Sequence, residues 1–116
     1  VSIESTLYAA LQSMVVGRVF PDVAPFATVR PYLTYQQVGG QSVNFIDPTL
    51  PSKANARFQV NVWADTRAEA AALSRQVEQA LRSASALQTT VLGQPVASYE
   101  PEMLLYGTRQ DFSFWQ

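Results

Sequence analysis

Between Arg57 and Leu81 the chain changes rhythm. Apolar residues fall at every second position through Phe58, Val60, Val62 and Ala64, with Arg57, Gln59, Asn61, Trp63 and Asp65 between them. That alternation is the period of a strand with one buried face. From Ala70 the apolar residues recur at three- and four-residue spacings, through Leu73, Val77, Ala80 and Leu81, which is the period of a helix lying on a core. At the junction, Thr66 is placed to cap the helix with its hydroxyl and Glu69, three residues on, to reach back to the free amide, as in a capping box. The pattern predicts a strand to Ala64 and a helix from Arg67 to about Ser83-Ala84, with Arg67, Arg75, Glu78 and Arg82 facing outward.

The other segments read in the same way. Ile3, Leu7, Leu11, Met14 and Val15 make an apolar stripe that predicts a helix over about Ser2 to Val16, stopped by Gly17 in a left-handed conformation. Pro21, Pro25 and Pro31 predict an extended connection. "YLTYQQV" alternates and is rich in residues that suit a pleated surface, predicting a strand that ends at Gly39-Gly40. "TTVLGQPVASYE" is a weaker strand interrupted by Gly93 and Pro95, suited to an edge or a bulge. "LLYGTRQDFSFWQ" predicts a closing strand with Leu104, Tyr106, Phe112 and Phe114 on its core face and Arg109, Asp111, Ser113 and Trp115 on the other. The order implies a single α+β domain over residues 1–116, one mixed or antiparallel sheet of about four strands packed with two helices.

Two features do not reduce to packing. Residues 39–56, "GGQSVNFIDPTLPSKANA", are polar and punctuated by glycine and proline, yet hold Phe45, Ile46 and Leu50. A stretch this long without its own structure is either a functional arm, which would put three large apolar residues against a neighbouring subunit, or a surface loop with no role. Trp63 and Trp115 lie on the strand faces opposite the strongest apolar residues. If the two strands pair, both indoles share the second sheet face with polar neighbours, including Arg57, in the residue mixture of a protein interface. Alternatively a helix covers that face and the tryptophans are ordinary core.

Composition narrows the chemistry. In 116 residues there is no cysteine and no histidine, which removes disulfides, thiol chemistry, the commonest general base and the commonest transition-metal ligand. The tight carboxylate pair, Glu100 and Glu102, brackets Pro101 in a turn open to water, where nothing separates the two pKa values as acid-base catalysis requires. Lys53, the only lysine, sits in the polar arm, where burial and a lowered pKa are not expected. No phosphate-binding glycine loop, nucleophile elbow or calcium loop is present. No catalytic residue, cofactor or metal is therefore expected. A net charge of −1 with scattered arginines argues against a dedicated nucleic-acid binder. The apolar runs are too short to span a bilayer and the first residues lack the order of a secretory signal, so folding in the cytoplasm is expected and a membrane is not.

Several separated pieces, "GRVFPDVAP", "RPYLTYQQVGG", "ARFQVNVWADTRAEAAALSRQVEQAL" and "YEPEMLLYGTRQDFSFW", together resemble the tail completion or tail terminator proteins of long-tailed, siphovirus-like bacteriophages and prophages. The resemblance covers most of the chain apart from the arm and "ASALQTTVLGQPVAS". It implies a structural virion protein of the tail and neck that forms a hexameric ring on the head-proximal end of the tail tube. Such a ring would stop tube growth and join the tail to the head-completion or stopper protein, while DNA passes through its channel without specific binding. A closed ring needs two different complementary surfaces on each subunit, and the residues expected to contribute are Phe45, Ile46, Leu50, Trp63, Trp115 and Arg57. The competing readings are another neck or minor tail protein and, from a different class, a small ligand-binding or regulatory α+β module with its pocket between sheet and helices.

Overall fold

The computed structural model describes residues 2–116. The change of rhythm at Ala64 falls where expected: β3 spans Asn55–Ala64 and α2 spans Arg67–Ser83. The Thr66 hydroxyl accepts from the Glu69 amide at 3.1 Å. Glu69 reaches one residue further back than a capping box requires, accepting from the Asp65 amide at 3.3 Å. The outcome is the same, because an otherwise free donor at the helix entry is satisfied.

At the N-terminus α1 spans Ile3–Leu11 and tightens into a 3₁₀ turn over Gln12–Val15. The expected helix is thus present in two forms. Its cap is reciprocal: the Ser5 amide donates to the Ser2 hydroxyl at 3.0 Å, and the Ser2 amide donates to the Ser5 hydroxyl at 3.1 Å. The stop begins one residue earlier than glycine would dictate, since both Val16 (φ 52°) and Gly17 (φ 78°) are left-handed.

The sheet has six strands rather than about four. The proline-rich connection contains β1, Val19–Pro21, which runs parallel to β2, Tyr32–Gly39. Pro21 is tolerated there because an edge strand leaves one side of its backbone unpaired. The weak C-terminal segment is divided at Leu92-Pro95 into β4, Thr90–Val91, and β5, Val96–Glu100. Both pair antiparallel with β6, Leu105–Trp115, so this one long strand carries β3 along one side and two short strands along the other. The order is β1-β2-β3-β6-β4, with β5 also on β6, and the sheet is mixed.

Leu7, Leu11 and Val15 of the first helix pack with Ala70, Leu73, Val77 and Leu81 of α2 against Leu33, Phe58, Val60, Val62, Phe112 and Phe114. Both helices therefore cover the same sheet face. Two expected positions differ. Leu104 is not on the core face of β6; it sits exposed in the preceding turn at φ 52°, and Leu105 is the buried residue. Arg67 does not face outward either. Its guanidinium lies over the Tyr106 ring and donates to the carbonyls of Gly107 (2.7 Å) and Ser98 (2.6 Å), tying the start of α2 to β5 and β6.

Candidate assembly surfaces

The arm is held at its root and free at its tip. Asn55 clamps one leg: its Oδ1 accepts from the Gln41 amide at 2.7 Å, while its Nδ2 donates to the Ser113 hydroxyl and the Phe114 carbonyl. A methyl group on Gly40 (φ 151°) would lie 2.4 Å from the Asn55 carbonyl oxygen, so this crossing requires glycine. The second leg is pinned by two backbone hydrogen bonds between Ala54 and Gln116, which extend the β3–β6 ladder. Beyond the root, Asp47 accepts from the Thr49 amide at 2.9 Å. The Thr49 side chain first, and then its amide, hold the Asp47 carboxyl below the usual carboxylate range by hydrogen bonding. Phe45 is half exposed, Leu50 is 89% exposed and Ile46 is fully exposed. The long axis of the molecule is 52 Å against 26 and 24 Å for the others, and the radius of gyration is 15.1 Å. A compact chain of this length would have about 13 Å, so the molecule is elongated.

The second sheet face carries no helix among the described residues. Trp63 and Trp115 do share it, together with Arg57, Gln59, Asn61, Arg109 and Asp111, but they do not form one patch. Trp63 pairs with Gly107 and Trp115 with Asn55, so they stand eight positions apart along β6, roughly 27 Å. Trp63 is partly buried by its own chain. Its indole N–H donates to the Thr34 hydroxyl at 3.2 Å, and the six-membered ring lies against Gly107, where an added methyl would come within 2.8 Å of two ring carbons. Gly107 is a residue that periodicity does not single out, although a glycine inside an aromatic-rich strand is the signal for such a close approach. Arg57 is spent on Asp111 across the strand pair, through Nε at 2.9 Å and the terminal nitrogen at 2.7 Å.

A second apolar surface, which alternation cannot reveal, lies at the opposite end of β2 from the arm. The loop between β1 and β2 exposes Val23, Phe26 and Val29, with Phe26 95% exposed, and the turn before β6 brings up Met103 and Leu104. Between them runs a groove lined by Val23, Pro25, Phe26, Tyr32, Met103 and Leu105. Arg30 holds the two walls together by donating to the Met103 and Leu104 carbonyls and to Asp65. The loop closes on itself through the Thr28 amide and hydroxyl, both bonded to the Pro25 carbonyl. Its only sequence signature is apolar residues scattered between prolines, without a period.

A ligand-binding module would place its pocket between α2 and the sheet, and a shallow one exists there, lined by Arg67, Ser74, Arg75, Glu78, Gln94 and Thr108. Two of its three charged groups are spent on the fold. Arg67 is committed as described, and Glu78 takes hydrogen bonds from Gln110 at 2.8 Å and Arg82 at 3.0 Å. These bonds, the Gln110 one first, hold the Glu78 carboxyl below its ordinary range. Among the described residues no cluster of three or more His, Cys, Asp or Glu is placed to hold a metal ion, and no helix is long and apolar enough to cross a membrane.

The architecture is similar to that of a chain in the solved structure "Virion of native gene transfer agent (GTA) particle", at a TM-score of 0.51 and 15% identity over 98% of this chain and 93% of that one. At that identity the likeness concerns the fold alone. No curated protein matches. A family model described as Tail completion protein gp17 matches residues 7–116, all but the first turn of α1. The chain therefore belongs to the Tail completion protein gp17 family and is a structural protein of a phage-type tail.

Proposed function

We propose that this protein is the terminator of the tail tube: a ring, hexameric in the assembled virion, that caps the head-proximal end of the tube, stops its growth and offers a docking face to the head-completion protein. The observation that carries this reading is the pair of exposed apolar surfaces at opposite ends of β2, the arm tip with Ile46 and Leu50 and the groove beside Phe26. A closed ring of identical subunits is built from head-to-tail contacts between two different surfaces, and a chain with one of each at its two ends is suited to it. Large apolar side chains left in water on a small protein mark contact sites. Assembly in the host cytoplasm and passage of DNA through the ring without specific binding complete the proposal; the chain's net charge of −1 suits transit without adhesion.

The test is electron microscopy of particles made without this gene. Tails of uncontrolled length, or finished tails separated from heads, are expected. Normal virions would sink the proposal.

A further inference from the structure

We propose that the arm tip of one copy seats in the Phe26 groove of the next copy, with Ile46 as the inserted residue and Asp47 facing Arg30. The inference rests on the ring reading and names its contact. Among the described residues, apart from Val16, every large apolar side chain more exposed than Phe45 belongs to the arm or to the two segments that build this groove: Ile46 and Leu50 on one side, Val23, Phe26, Val29 and Leu104 on the other. The two sets match in chemistry and are separated in space. The seven residue steps of β2 put the groove end, at Tyr32, roughly 23 Å from the arm root at Gly39, and the arm runs onward from there. A chain's own tip is therefore out of reach of its own groove, and the occupant comes from another molecule.

Charge is compatible with the same partner. Arg30 is the charged side chain lining the groove; it already pairs with Asp65 at 3.2 Å, so the Asp47 that follows Ile46 would share its guanidinium. Both surfaces are shaped before they meet. Arg30 bridges the groove walls, and the Asp47–Thr49 turn presents Ile46 outward. Preformed surfaces lose less conformational freedom on docking, which favours a contact of small area. Because tip and groove are different surfaces, the pair formed by the first contact still has one free groove and one free tip, and the contact propagates until the ring closes.

The absence of cysteine provides the test. Phe26→Cys and Ile46→Cys variants are made separately and incorporated together into tails, which are purified and exposed to mild oxidant; a disulfide forms only when the two Cα atoms come within about 7 Å. Linked pairs are expected from the mixture and not from either variant alone. The double variant is expected to give a ladder of linked copies ending at the ring number, collapsed by reductant. Adding Asp47→Arg is expected to lower the linked fraction. Both cysteine positions are exposed, so circular dichroism of each variant should match the parent. Multi-copy rings seen in those tails without any 26–46 link overturn the docking inference and leave the ring reading intact. A single copy per tail overturns both. Pairs formed most readily by Ile46→Cys alone indicate arm-to-arm contact and overturn the inference.

Discussion

Gly107 faces Trp63 across the open side of the sheet, and Gly107→Ala measures how much that contact contributes. The new methyl carbon would stand 2.8 Å from two indole carbons and 2.9 Å from the Ser98 hydroxyl. Real contacts do not close that far, so the indole has to lift. Forcing one extra carbon into a filled site costs about 1–3 kcal/mol. A lifted ring also loses its hydrogen bond to Thr34, now 3.2 Å long, worth about 1 kcal/mol. The expected loss is about 2–4 kcal/mol by urea titration followed by circular dichroism. Trp63→Ala removes the indole and leaves only the Ser98 hydroxyl, the end of a side chain that can rotate aside, so Gly107→Ala introduced into that background should cost less than about 0.5 kcal/mol, and the difference between the two is the coupling energy. Equal costs in both backgrounds would refute the argument, because they would mean that backbone freedom at Gly107, and not the indole, demands glycine.

The other predictions concern helix ends, the arm root and pH. Val16 is left-handed and exposed, so Val16→Asn should stabilise the fold by about 1 kcal/mol, since asparagine tolerates that conformation and no burial is lost; thermal melting checks the sign. Gly40→Ala should cost about 1–3 kcal/mol by chemical denaturation and raise proteolytic cutting within residues 41–53, because the methyl would strike the Asn55 carbonyl. The Glu78 pKa is depressed by Gln110 and then Arg82, so its contribution to stability is present above the ordinary glutamate value of about 4.3 and is lost as pH falls through the lower folded value. Glu78→Gln should therefore flatten the decline in melting temperature between pH 5 and pH 3 (roughly the window in which that carboxyl titrates), and an unchanged decline would assign it to other carboxylates.

What the sequence makes legible depends on whether a residue's role repeats. Phe58, Val60, Val62 and Ala64 recur with the pleat and are all buried, and Leu73, Val77 and Leu81 recur with the helical turn and meet them. Thr66 is recognisable as a cap because the capping requirement is local. The short strands are not legible in this way. Val19–Pro21 and Thr90–Val91 are too brief to show a period, and each exists because a longer neighbour offers an edge. The same holds for the surfaces. Ile46 and Phe45 stand out because polar residues surround them, whereas the Phe26 groove is assembled from a proline-rich loop and a turn about eighty residues later, joined by Arg30. Trp63 shows a mixed case: an aromatic on a polar face suggests a partner, and its own Thr34 and Gly107 already hold part of the indole.

This division has a consequence for how the protein can be dissected. The tip and the groove rim are exposed in the single chain, so truncating Ile46 or Phe26 removes no burial from the fold and should leave stability within about 0.5 kcal/mol. Any effect of those substitutions on tails then belongs to contacts between chains. The arm root behaves oppositely. Asn55 and Gly40 join the arm to β3 and β6, so damage there acts on the fold and on the position of the tip at once. Folding and assembly are therefore separable at the ends of the molecule and inseparable at the root of the arm, and a substitution that impairs tails without lowering the melting temperature should map to the two ends.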